Sequence, residues 1–325
     1  MKAGKIQYIS QVELRKKGLF WGIFRQCRYL FSWITKMLYC SQASFKRSAN
    51  TRKTYTFSIC AIFRNEATFL REWIEFHLLV GVEHFYLYNN FSEDNYLEIL
   101  QPYIDSEIVT LTDWPIESGQ LSAYLDCFNR YKEHTEWIAY IDLDEFICMR
   151  KEIDIKDWIR PYKNYPTVYV NWKMFGISGI MEHDKQKTVI EQYTASWEHL
   201  SNAGKSFINT RFNFKEIGCH LSYPAIRICG LPSTILPINE FKKSFHHWVC
   251  RAPKRKESGI QLNHYYYRSY SQYLYKAFKR PDAMSPASGE VRRKEGVFEL
   301  QETRCIAKDF TIQRFLTLLK RNMNK

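Results

Sequence analysis

The chain has 325 residues, 45% of them apolar and 16% aromatic, and carries a net charge of +13. That length and apolar content mark a globular protein with a sizeable core, as one large domain or two small ones. The basic balance calls for an anionic partner, whether nucleic acid, anionic lipid or a phosphorylated substrate. Nine cysteines without a C-x-x-C pair or a zinc-like Cys/His spacing argue against a zinc module and read as reduced core thiols of a cytosolic protein.

Residues 1–53 form a basic, aromatic extension. The opening MKAGKIQYISQVELRKK lacks the apolar stretch and small-residue cleavage site of a signal peptide. Residues 19–39 are apolar and aromatic but include Arg25, Arg28 and Lys36, which makes a poor membrane span. A basic helix bearing Trp21, Phe24, Leu30, Phe31 and Trp33 suits either an anionic membrane interface or ordinary packing on the domain. Such a chain would be cytoplasmic, resting as a peripheral protein on the inner face of the membrane.

Tyr55–Phe63 reads as a buried strand, followed by Arg64-Asn65-Glu66 and a helix over 67–80. Leu70, Trp73, Ile74, His77 and Leu78 fall on one face of that helix, and Gly81 ends it. A strand over 82–88 runs into the turn-rich loop 89–94. A helix over 96–103, a strand over 108–111 and a helix over 118–131 follow. Residues 138–141 form a strand that leads into Asp142-Leu143-Asp144-Glu145. Alternation along a strand puts Asp142 and Asp144 on the same side, where paired carboxylates suit a hard divalent cation. Beyond residue 150 the pattern loosens to a short helix over 154–160, a strand over 167–172 and the loop 175–179.

Strands alternating with helices predict an α/β fold with a doubly wound parallel sheet, and ligands bind such sheets beyond the carboxyl ends of the strands. Arg64, Asn65, Glu66, Asn90, Asp94, Asp142 and Asp144 all follow strand ends and are expected to converge. No G-x-G-x-x-G follows the first strand and no P-loop is present.

The ordered pieces CAIFRNEATFLREWIEFHLLVGVEHFYLYNNFSED, Gln120 with Ala123-Tyr124 and Asp126, WIAYIDLDEF, W-x-x-F-G-x-S-G, KSFI and NHYYYRS resemble glycosyltransferase family 92 and related GT-A enzymes of family 2 type. The resemblance covers roughly residues 57–280. It implies a GT-A-type nucleotide-sugar fold with a mixed, mostly parallel sheet flanked by helices over 54–285. A basic helical tail would follow over 286–325. It implies Mn2+ or Mg2+ held by Asp142, Asp144 and His264. A UDP-sugar, with UDP-galactose the named candidate, would lie near Arg64, Asn65, Glu66, Asn90, Asp94, Gln120, Asp142 and Lys205. Arg268, Lys276 and Arg280 could add positive charge near the diphosphate. The implied reaction is an inverting transfer to a glycan or lipid-linked acceptor, as in surface polysaccharide synthesis. The base would be Glu182 or Asp184, with Glu191 behind them. Three departures stand out: Arg64 where lysine is common, Asn89-Asn90-Phe91 where Asp-Asn-Gly is common, and Ile177 where serine is common. A metal-dependent nuclease or phosphoesterase, or a non-catalytic membrane or nucleic-acid binder, are the readings from other classes; the ordered motifs do not call for nucleic acid.

Overall fold

The computed structural model describes residues 19–45, 53–245, 252–279 and 296–324. Arg280 and the basic residues before position 19 lie outside the described residues. A long helix α1 (Leu19–Phe45) precedes β1 (Tyr55–Phe63), α2 (Ala67–Leu79), β2 (His84–Asn89), α3 (Tyr96–Asp105), β3 (Val109–Asp113), α4 (Gln120–Tyr131) and β4 (Thr135–Tyr140). Every helix and strand expected between 55 and 141 is present, with ends shifted by up to three residues. The shift at β4 matters. The strand stops at Tyr140, so Asp142 and Asp144 sit in a turn between β4 and β5 (Glu145–Met149) rather than on a strand.

The later strands complete the sheet. They include β6 (Thr167–Met174), β8 (Gly204–Asn209), β11 (Ile238–Asn239) and β12 (Ile260–His264), with a two-residue β7 (Ala195–Ser196) and a separate hairpin of β9 (Ile226–Ile228) and β10 (Leu231–Ser233) between them. The order is β3-β2-β1-β4-β8-β6-β12-β5, with β11 also on β6. β3, β2, β1 and β4 run parallel, as does β12 with β6. β8 runs antiparallel between β4 and β6, and β5 antiparallel beside β12. This is the mixed, mostly parallel GT-A-type sheet flanked by helices.

The period-2 alternation of the strands explains the two layers. On β1, Phe57, Ile59, Ala61 and Phe63 join Leu70, Trp73 and Ile74 of α2 in one core. Cys60 and Ile62 point the other way, onto Ala123, Tyr124 and Phe128 of α4. β4 divides identically, with Trp137 and Ala139 on the first side and Ile138 and Tyr140 on the second. The C-terminal residues, set off in the sequence as a basic tail, place Ile312, Phe315 and Leu319 in the first core. Asp309 there pairs with Arg255 at 2.7 Å and accepts a hydrogen bond from Gln261.

α2 also carries a buried carboxylate. Glu72 accepts the N–H groups of Val189 (2.7 Å) and Ile190 (3.1 Å), where the short helix α6 (Val189–Gln192) begins. Burial raises its pKa from 4.5 to about 7, against the lowering pull of those N–H groups and of Arg268. A carboxyl whose folded pKa is raised contributes stability fully present below its unfolded value. That contribution is lost as pH rises through the folded value. Its size here is about 3 kcal/mol, spread between pH 4.5 and 7. Glu72→Gln is therefore expected to gain stability relative to wild type on going from pH 5 to pH 7. Urea midpoints of both proteins at the two pH values check this, and an unchanged difference would refute it.

Candidate active site at the carboxyl edge of the sheet

The D-L-D turn lies where β4 ends. β12 pairs with β5 so that His264 stands opposite Glu145, and with β6 so that His264 stands opposite Met174. The strand ends thus bring Asp142, Asp144 and His264 to one edge. Leu143 is buried between two partly buried aspartates of the turn.

Asp142 is fully engaged. Its Oδ1 accepts from Gln120 Nε2 (3.1 Å) and Tyr124 Oη (3.3 Å), both on α4. Its Oδ2 accepts from Lys205 Nζ at 2.8 Å. Lys205 also stands 3.8 Å from the buried Glu145. Burial alone would lower the Lys205 pKa, but Asp142 and Glu145 overcome it and hold the ammonium above its ordinary value. Glu145 itself is pushed well above the carboxylate range by burial, against the pull of Lys205. Its Oε2 accepts the Asp142 N–H at 2.9 Å and so closes the turn. Gly204 lets this lysine arrive: a Cβ there would strike the Val170 carbonyl of the adjoining strand.

Asp144 has a different set of partners. Its Oδ2 accepts from Lys276 Nζ at 2.6 Å, and its Oδ1 lies 3.5 Å from His264 Nε2. Burial would raise this carboxyl, yet Lys276, His264 and Arg268 hold it well below its usual range, so it is ionised. Asp144 Oδ1 and His264 Nδ1 are both buried without a hydrogen-bond partner. Carboxylate oxygens and an imidazole nitrogen are a donor set that fits Mn2+ or Mg2+, and an orphaned ionised oxygen beside an imidazole is what such an ion would satisfy. Among the described residues no three His, Cys, Asp or Glu side chains are yet gathered around one point, since Asp142 is taken up by Gln120, Tyr124 and Lys205.

Arg268 does a different job from the one expected. Its guanidinium is wholly buried, so it is not displayed to a diphosphate. It pairs with Glu66 Oε2 at 2.7 Å, donates to the Leu143 carbonyl at 2.8 Å and stacks 3.6 Å over Phe69. It therefore bolts the loop after β1 and the start of α2 to the D-L-D turn.

The loops after β1 and β2 are tied together. Asn65 adopts φ 53°, a left-handed turn that asparagine tolerates. Its Oδ1 accepts the Glu93 N–H and its Nδ2 donates to Tyr275 Oη. Asn90 donates to the carbonyls of Trp114 and Ile116. Asp94 accepts the Ala67 N–H at 2.8 Å and caps α2 across the loop. Phe91 keeps a left-handed turn at φ 57°, with the Arg64 guanidinium 5.3 Å from its ring.

The candidate bases sit on the loop beyond β6. Glu182 and Asp184 are exposed. Asp184 accepts from the Gln186 N–H and stands 3.6 Å from Lys187, both within its own loop. Glu191 pairs with Lys320 at 2.8 Å. One group carried no signal in the sequence: Glu302, 125 residues beyond Ile177, accepts the Ile177 N–H with both oxygens at 3.1 Å, and only the fold brings it to that loop.

A mixed sheet that gathers a carboxylate turn, buried cations and a histidine at its strand ends is a glycosyltransferase scaffold of GT-A type. The chain belongs to glycosyltransferase family 92, whose model matches residues 53–227. It is similar to a glycosyltransferase family 92 protein of Oryza sativa subsp. japonica, 35% identical over 36% of this chain and 20% of that one. A family 92 protein of Ricinus communis is 26% identical over 70% of this chain and 38% of its own length. A beta-1,4-galactosyltransferase of Caenorhabditis elegans is 33% identical over 28% of this chain and 25% of that one. The chain thus spans well under half the length of these relatives.

Proposed function

We propose that this chain transfers a sugar, with galactose the first candidate, from a UDP-sugar to a glycan or lipid-linked acceptor in one inverting, metal-assisted displacement. The observation that carries the reading is the ionised, orphaned Asp144 Oδ1 beside His264 at the carboxyl edge of the sheet. Family membership and a galactosyltransferase among the relatives support the reaction class and the sugar.

Asp144 and His264 are the residues that would hold Mn2+ or Mg2+, and Asp142 would join them by giving up its contact with Lys205. Such an ion supplies counter-charge to the donor diphosphate as its bond to the sugar breaks. Lys205 and Lys276 place positive charge at the same edge, held there by Asp142 and Asp144. Gln120 and Tyr124 hold Asp142 from α4, while Arg64, Asn65, Glu66, Asn90 and Asp94 shape the nucleotide side through the two tied loops. Glu182 or Asp184, on the exposed loop beyond β6, would take the proton of the acceptor hydroxyl as that oxygen attacks the anomeric carbon.

The test is calorimetric titration with UDP, with and without Mn2+, on wild type and Asp144→Ala. Binding that needs the metal and is lost in the variant is the expected result. Failure of UDP to bind in either condition would overturn the donor assignment.

A further inference from the structure

α1 is amphipathic, but it is mounted the opposite way from an ordinary surface helix, which buries its apolar stripe. Ser32 and Thr35 are buried against the domain, with Ser32 Oγ accepting the Leu236 N–H at 2.8 Å. On the same side, the Tyr39 ring stacks on Phe212 at 5.0 Å and the Lys36 ammonium lies 4.2 Å over Tyr165. At 3.6 residues per turn, Leu30, Trp33, Ile34, Met37 and Leu38 fall on the opposite side. With Phe31 at the margin, these side chains are 41–58% exposed. An apolar face of this kind on a folded domain marks an interaction surface.

Charge selects the occupant. The helix contains no acidic residue, and its Lys36 is already taken up on the domain side by Tyr165. The sequence places Arg15, Lys16 and Lys17 before it and Lys46 and Arg47 after it. A second copy docking on this face would bring two basic segments together with no acid between them. An anionic lipid surface matches both the apolar face and the charge. No helix among the described residues is long and apolar enough to cross a membrane, so the helix would lie along the surface rather than span it.

We propose that α1 seats this protein on an anionic membrane, its apolar face in the acyl boundary and its polar face bolted to the catalytic domain. The domain is then held at a fixed orientation, with Ser32, Thr35 and Tyr39 as the coupling. This does not rest on the transferase reading, because vesicle binding reports α1 and UDP binding reports the D-L-D turn.

The experiment is co-sedimentation of the full chain with phosphatidylcholine vesicles, with and without phosphatidylserine, alongside sedimentation velocity without lipid. The comparison variant is Phe31→Ser/Ile34→Ser/Leu38→Ser, whose side chains are exposed, so the fold is kept and UDP binding serves as the control. Wild type is expected to partition onto phosphatidylserine vesicles on the order of tenfold more strongly than the variant, and less strongly as salt rises. The proposal is overturned if wild type ignores both vesicles or if the variant binds equally. It is also overturned if wild type forms a dimer that the variant loses and leaves the vesicles alone; that result would assign the face to a second copy.

Discussion

Replacing Asp144 with asparagine is expected to lower UDP-sugar turnover by about a hundredfold or more, the scale set by losing one preorganised electrostatic contact to the transition state. Asparagine keeps the shape of the side chain and removes its charge. That charge is secure in the native protein: burial would raise the carboxyl, but Lys276, His264 and Arg268 outweigh it. The same substitution takes the Asp144 carboxylate away from Lys276, whose side chain is 9% exposed. A buried charge stripped of its partner costs about 3–5 kcal/mol, so a fall in activity alone could reflect unfolding. Asp144→Asn/Lys276→Met separates the two causes, because an apolar replacement of both partners is close to neutral for stability. The single variant should melt lower and be inactive; the double should recover its melting temperature and stay inactive. Donor-sugar hydrolysis and thermal melts on both decide it. A double variant that regains turnover would show that an unpaired lysine, and not loss of the carboxylate, had stopped the reaction.

The legible part of this molecule is the part where local pattern and tertiary role coincide. β1, β2 and β4 are readable because each is a short apolar run with both faces covered. Asp142 and Asp144 are readable as positions, since strand ends in such a sheet meet at one edge, whereas His264 is named only by the family resemblance. Their partners were less readable. Lys205 reaches Asp142 because β8 inserts antiparallel between β4 and β6, and nothing in its sequence distinguishes an antiparallel insertion from a parallel strand. Arg268 was expected to offer charge to a ligand, but burial against Glu66 and Phe69 makes it a clamp. Long-range partners of this kind, 202 residues apart in the chain, leave no periodic signal. Asp94 follows the same logic: a carboxylate in a strand-end loop reads as a ligand contact, and here it caps α2.

Arg268→Met is expected to be the most destabilising single substitution at the site. It takes the guanidinium away from the Glu66 carboxylate, 5% exposed, and removes the donor to the Leu143 carbonyl at the centre of the turn. Breaking such a pair from one side costs about 3–5 kcal/mol, which for a domain of this size lowers the melting temperature by roughly 5–10 °C. Glu66→Gln/Arg268→Met should return much of that loss, since no buried charge is left alone. Arg268→Lys is not a rescue: an ammonium cannot span Glu66 and Leu143 in the plane of one fork, nor stack flat on Phe69. The three variants distinguish a clamp from a filler. If Arg268 only fills space, the double variant recovers stability and also UDP affinity. If it fixes the turn, the double variant melts near wild type but binds UDP with Mn2+ more weakly, because Leu143 and the aspartates on either side of it have lost their anchor to α2. Melting curves and metal-dependent UDP titration on the three proteins provide both readouts. Stability and affinity moving together across the series would remove the clamp from the account.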